Sequence, residues 1–181
     1  MEQRHQPGRT AVLNGDVKIR PATAEDLPHV IAILREAAQW LIDRGQGLWT
    51  LDQFTIEKLQ PSFDAGEWHI AQLDSNPAAV FTLTFEDKLF WPDVLPNDSI
   101  FIHKLAVARK CAGRGLSAAV FDYAENLARQ KKLRRIRLDC ATRPKLCHVY
   151  ESAGFSRVDE RNMGKFTVVR FKRSIPYHPD P

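Results

Sequence analysis

The chain has 181 residues, 44% of them hydrophobic and 27% charged, with a formal net charge of +4. That is enough chain for one domain with a full core, and the balance is that of a globular protein. No apolar run approaches the roughly 20 residues of a membrane span, residues 1–16 lack the apolar core of a secretion signal, and Cys111, Cys140 and Cys147 match no zinc spacing and cannot all pair, so a cytoplasmic protein with reduced thiols is expected.

In chain order, residues 1–16 show no periodicity and are expected to be a flexible tail before a single domain over 17–173. Residues 174–181 form a second tail. The short run VKIR (17–20) reads as a strand. Thr23 and Asp26 then make a capping-box-like T-x-x-D, the start signal of a helix. Leu27, Val30, Ile31, Leu34, Ala38 and Leu41 recur at helical spacing, so this helix should reach about Asp43. A shorter helical segment is expected over 49–60, closed by Pro61.

WHIAQLD and AAVFTLTF alternate as strands around a Ser75-Asn76-Pro77 turn signal, which predicts an antiparallel hairpin. Residues 86–98 read as a loop. A strand over 99–107, a polar loop over 108–114 and an amphipathic helix over 115–131 come next. RIRLDC (135–140) is a strand and 144–152 a short helix with proline at a tolerated first-turn position. Strands at 156–160 and 166–172 close the domain. The order β-α-α-β-β-β-α-β-α-β-β predicts an α/β (α+β) domain with a mixed sheet.

Basic residues cluster at Lys131, Lys132, Arg134, Arg135 and Arg137. No aromatic–basic RNA motif or helix-turn-helix pattern accompanies them, so they read as a solvated helix end, and no nucleic-acid partner is expected.

The chemistry concentrates at Gly113 and Gly115, where a strand passes through a loop into a helix N-terminus. Such a junction grips pyrophosphate through backbone N–H groups. Gly113-x-Gly115-x-x-Ala118 formally fits a dinucleotide fingerprint, with Asp139 as the ribose acid. Residues 108–112 delay the first glycine, however. Elements that are not βαβ units precede it, and too little chain follows for a second nucleotide-binding half.

The pair of motifs LAVARKCAGRGLS and RPKLCHVYESAGF instead resembles the GCN5-related N-acetyltransferase (GNAT) family. The first supplies Leu105, Val107, Gly113, Gly115 and Ser117 to the family's L-x-V…R/Q-x-x-G-x-G/A. The second supplies Tyr150, Glu151, Gly154 and Phe155 to N-x-x-A-x-x-L/F-Y-E-x-x-G-F. Ala112 fills the R/Q position and Arg143 the Asn position, and Arg109, Lys110 or Arg114 could restore the missing charge.

The resemblance implies an acetyl-CoA-dependent N-acetyltransferase with no metal. It implies that the donor is held by Leu105, Ala106, Val107, Ala112, Gly113, Arg114, Gly115, Leu116, Ser117 and Arg143. Tyr150 would protonate the leaving thiolate. His103, matching a histidine of arylalkylamine acetyltransferases, would deprotonate the amine. The acceptor cleft would draw on Trp40, Trp49, Phe85 and Glu86, with Phe54, Phe90, Trp91 and Asp87 nearby. A small-molecule amine is the expected acceptor. A homodimer through sheet edges is possible in such relatives, no membrane partner is implied, and a non-catalytic acyl-CoA-binding domain is the alternative on the same fold.

Overall fold

The computed structural model describes residues 15–47 and 49–176, so most of both expected tails lies outside the described residues. The elements are β1 (Val17–Pro21), α1 (Leu27–Ile42), α2 (Ile56–Asp64), β2 (Trp68–Leu73), β3 (Asn76–Thr84), β4 (Ser99–Val107), α3 (Leu116–Gln130), β5 (Arg135–Ala141), α4 (Pro144–Ser152), β6 (Ser156–Asn162) and β7 (Thr167–Ser174). Their order is the one expected from the sequence. The strands form one seven-stranded sheet, β1-β2-β3-β4-β5-β7-β6. Only the central β4–β5 pair is parallel.

Local chemistry explains the boundaries. The Thr23 backbone N–H donates to Asp26 Oδ2 at 2.8 Å, and one 3₁₀ turn leads into α1. The apolar stripe Val30, Ile33, Leu34, Ala38 and Leu41 then turns inward. Pro61 does not close the second helix, which starts later, at Ile56, and runs on to Asp64. Thr55 caps it, and the Ser62 hydroxyl donates to the Leu59 carbonyl at 2.8 Å beside the proline. The hairpin turns at Asp74 and Ser75, both at positive φ, one residue earlier than the sequence suggests. Two left-handed residues give the turn the twist that a tight antiparallel hairpin needs.

The two faces of the sheet carry separate cores. One packs α1 and α2 against Trp68, Ile70, Val80 and Ala106. The other packs α3 and α4 against Phe81, Ile100, Ile102, Ile136 and Phe171. Thr82 pairs with His103 and lies two residues from Val80, so His103 faces the α1/α2 side.

On that side residues 85–98 take the place of a helix. Trp91 of this loop is buried beneath two guanidinium groups, Arg137 at 4.8 Å and Arg170 at 4.4 Å from the ring centroid. Arg170 also bonds Asp93 and Asp159 at 2.6 Å and the Phe90 carbonyl at 3.0 Å. The basic run is therefore only partly a solvated helix end. Arg137 is buried, with Nε on Ser99 Oγ at 2.8 Å, and Arg135 bonds Asp98 at 2.6 Å.

Candidate active site

β4 and β5 are paired only from Ser99↔Arg135 to Ile102↔Leu138. β4 then continues along β3 alone and β5 along β7 alone. The divergence begins at a bulge. His103 and Ala106 oppose Thr82 and Val80, so β4 spends one residue more than β3, and Lys104 takes a φ of 50°. A bulge bends and twists its strand. The facing edges of β4 and β5 then hold backbone groups with no ladder partner between the two strands.

A cleft of ≈ 650 Å³ fills this gap. Its walls include residues 102–107 of β4 and 138–141 of β5, with Trp40, Trp49, Phe54 and Phe90 on the α1/α2 side. Leu146 and Tyr150 of α4 line it from the other core. The cleft therefore joins the two faces of the sheet at the place where its ladder opens.

His103 stands on one wall between two carboxylates. Its Nε2 is 3.5 Å from Asp87 Oδ2 and its Nδ1 is 3.5 Å from Asp139 Oδ1. Both oxygens are buried without a hydrogen-bond partner among the described residues. Tyr150 stands on the other wall, packed among Phe121, Phe155 and Phe171. Burial pushes its phenol above the ordinary value.

At the end of β4, residues 109–111 make a 3₁₀ turn, and Gly113 and Gly115 both adopt φ of 78°. Gly115 is the N-cap of α3. First-turn amides such as those of Leu116, Ser117 and Ala118 have no carbonyl one turn back to bind, so they can take anionic oxygens. Arg143, the N-cap of α4, lines the cleft with a buried Nε that has no partner among the described residues. The loop, the unpaired strand edge and Arg143 suit a long thioester with a pyrophosphate at one end.

The residues expected from the sequence divide accordingly. Leu105, Ala106, Val107, Arg143, His103, Tyr150, Trp40 and Trp49 line the cleft. Ala112, Gly113, Arg114, Gly115, Leu116 and Ser117 belong to the loop and helix start beyond β4. Phe85 and Glu86 do not line it. Phe85 lies beneath the Lys131 ammonium at 4.9 Å, and Glu86 is exposed and paired with Lys88. Trp91 is a clamp for the loop rather than a cleft wall. Asp139, which the sequence presents only as a ribose acid in the rejected dinucleotide reading, lies beside His103. Its signal was a carboxylate set between the apolar Leu138 and Cys140 of the strand.

A mixed sheet split between parallel central strands, with a glycine loop after the first, is an arrangement that suits an acyl-CoA-dependent transferase. The model of the Acetyltransferase (GNAT) family matches residues 34–155, and the chain belongs to that family of acetyl-CoA-dependent N-acetyltransferases. An uncharacterized N-acetyltransferase, YesJ, from Bacillus subtilis is 34% identical over 136 residues, covering 72% of this chain and 76% of that protein. Among solved structures, a GNAT-family acetyltransferase from Listeria monocytogenes superposes with a TM-score of 0.71 at 20% identity, covering 87% of this chain and 94% of that one. The PaiA N-acetyltransferase of Thermoplasma acidophilum, in complex with coenzyme A, superposes with a TM-score of 0.68 at 16% identity, covering 88% and 99%.

Proposed function

We propose that this enzyme moves the acetyl group of acetyl-CoA directly to the primary amine of a small molecule, with His103 as base and Tyr150 as acid. The observation that carries the reading is the placement of these two groups on opposite walls of one cleft, where the β4–β5 ladder opens. Aromatic walls and the Asp139 carboxylate suit an amine with an apolar body. A cleft of ≈ 650 Å³ is of the size that small ligands fill.

The amine enters as its ammonium and loses a proton to His103, directly or through a water. Its lone pair attacks the thioester carbonyl, whose developing oxyanion is met by backbone N–H groups of β4 past the bulge. As the C–S bond breaks, Tyr150 gives its proton to the departing sulfur, and the phenol recovers one from the nitrogen or solvent. Burial keeps that phenol protonated until it is used. The glycine loop and Arg143 hold the donor's far end.

The test is thiol release from acetyl-CoA across a panel of small aliphatic, aryl-alkyl and polycationic amines, with lysine peptides alongside. Saturable turnover with a small amine is expected. Turnover only with peptides would overturn the acceptor class. Protection by CoA against heat, with no thiol released by any amine, would leave a binding domain instead.

A further inference from the structure

Each nitrogen of the His103 ring faces a different carboxylate, and the two carboxylates are held very differently. Asp87 is buried, and its Oδ1 accepts the backbone N–H groups of Leu89 and Phe90, both at 2.9 Å. The Trp91 backbone N–H donates to the Asp87 carbonyl at 3.1 Å, so the residue sits in the turn that the Trp91 clamp fixes to the sheet. Among the described residues its Oδ2 has no hydrogen-bond partner other than what His103 Nε2 can offer. Asp139 is on β5 and lines the cleft, whereas Asp87 does not.

A neutral imidazole has one N–H and one lone pair. A lone pair pointed at either carboxylate is repelled. The N–H goes to Asp87, which two loop amides fix and which does not line the cleft, whereas Asp139 lines the cleft, where a substrate ammonium can satisfy its Oδ1. The other nitrogen is then the acceptor. Three ligand atoms within 4.8 Å could also suggest a metal. Here, however, the carboxylates address opposite nitrogens rather than one point, which orients a ring.

We propose that Asp87 is a positioning residue that holds the Nε2–H tautomer of His103, so that Nδ1 is the base. Asp139, on the Nδ1 side, receives the ammonium of the substrate beside it. The inference rests on the reading of His103 as the base. It adds which atom accepts the proton and which carboxylate serves the ring and which the amine.

The test reads the ring directly. In ¹⁵N-histidine protein, with His103→Gln used to assign the resonance, the neutral ring of the parent should show a protonated Nε2. A protonated Nδ1 overturns the proposal. Asp87→Asn keeps an Oδ1 acceptor for the two loop amides but turns an NH₂ donor toward Nε2. It should shift the ring to the Nδ1–H form and lower kcat by about 10²-fold or more, as a wrong tautomer does in other imidazole bases. Both KM values should stay within about twofold and the thermal midpoint should be nearly unchanged, which separates positioning from loss of fold. Asp139→Asn should instead raise KM for the amine by about 10-fold and leave KM for acetyl-CoA alone. An Asp87→Asn enzyme with the parent's kcat, where His103→Gln is inactive, sinks the positioning role and leaves the base reading standing. Full activity of His103→Gln sinks the base reading, and the tautomer of the parent then still decides whether Asp87 sets the ring.

Discussion

Tyr150 and His103 belong to different cores of the molecule and meet at one cleft. Tyr150 comes up from α4 among aromatic rings, while His103 stands on β4 under the loop that Trp91 fixes. A sheet normally separates such groups by its full thickness. The opening between β4 and β5 is what lets both side chains line the same cleft.

The first prediction follows from that placement. Tyr150→Phe keeps the ring contacts with Phe121, Phe155 and Phe171 and removes only the hydroxyl. Steady-state kinetics should show kcat reduced by about 10²-fold, the scale of a lost general acid, with KM for acetyl-CoA little changed. Because the native phenol is held above its ordinary value, the native state keeps a proton that the unfolded chain loses above about pH 10. Stability should therefore fall as pH rises through that value, and Tyr150→Phe should flatten the fall.

How much of this was legible in the sequence follows from what each signal depends on. The stretch from Ser99 through α3 carried β-branched alternation, punctuating glycines and a helical period, and its elements lie within one residue of their expected bounds. Phe85 closes the strand expected from the sequence and Glu86 opens the loop after it, and neither signal says that β3 ends at Thr84 or which way the next side chains turn. The neighbours that reach the site are Asp87 and Phe90, and burial of Trp91 decides this. The Lys104 bulge left no mark either, since lysine has no preference for positive φ. Pro61 reads locally as a stop, yet a short helix with its own serine bond absorbs it.

The second prediction concerns the start of α1. Asp26 accepts two bonds from Arg20, at 2.6 and 2.9 Å, and one from the Thr23 backbone. The Arg20 guanidinium chiefly, together with the Thr23 donors, holds its carboxyl at about 2. A depressed carboxylate stabilises the native state above its unfolded value of about 4, and the benefit disappears as pH falls toward the native value. Asp26→Asn should therefore cost about 2 kcal/mol in denaturant melts at pH 7, with the gap to the parent closing as pH is lowered from about 5 to 2. A cost that stays constant over that range would place the effect in the cap rather than the ion pair.

Trp91 offers a separation of stability from chemistry. It is only 1% exposed and covered by Arg137 and Arg170. Trp91→Ala should cost about 3–5 kcal/mol, part of it from two buried guanidinium groups that lose their aromatic partner. Trp91→Phe should recover most of that stability. Since the same clamp places Asp87, kcat in the alanine variant should drop under conditions where circular dichroism shows it fully folded. Unchanged kcat in the folded variant would mean that the Asp87 turn keeps its place without the indole.

The glycine loop gives the last prediction. A Cβ added at Gly113 meets nothing within 4 Å, so bulk is no obstacle there. Its φ of 78° is the obstacle, because a left-handed backbone costs an L-residue about 1–2 kcal/mol. Gly113→Ala should lower the thermal midpoint by only about 2–8 °C, yet re-aim the amides that start α3. KM for acetyl-CoA should rise by about 10-fold while kcat at saturation stays within about twofold. Ala112 supplies no side-chain charge, so the proposed grip on the donor rests on backbone donors and Arg143. Arg143→Ala should raise the same KM by a similar factor. If Gly113→Ala lowers kcat and leaves KM untouched, the loop shapes the reacting end of the cleft rather than the pyrophosphate site.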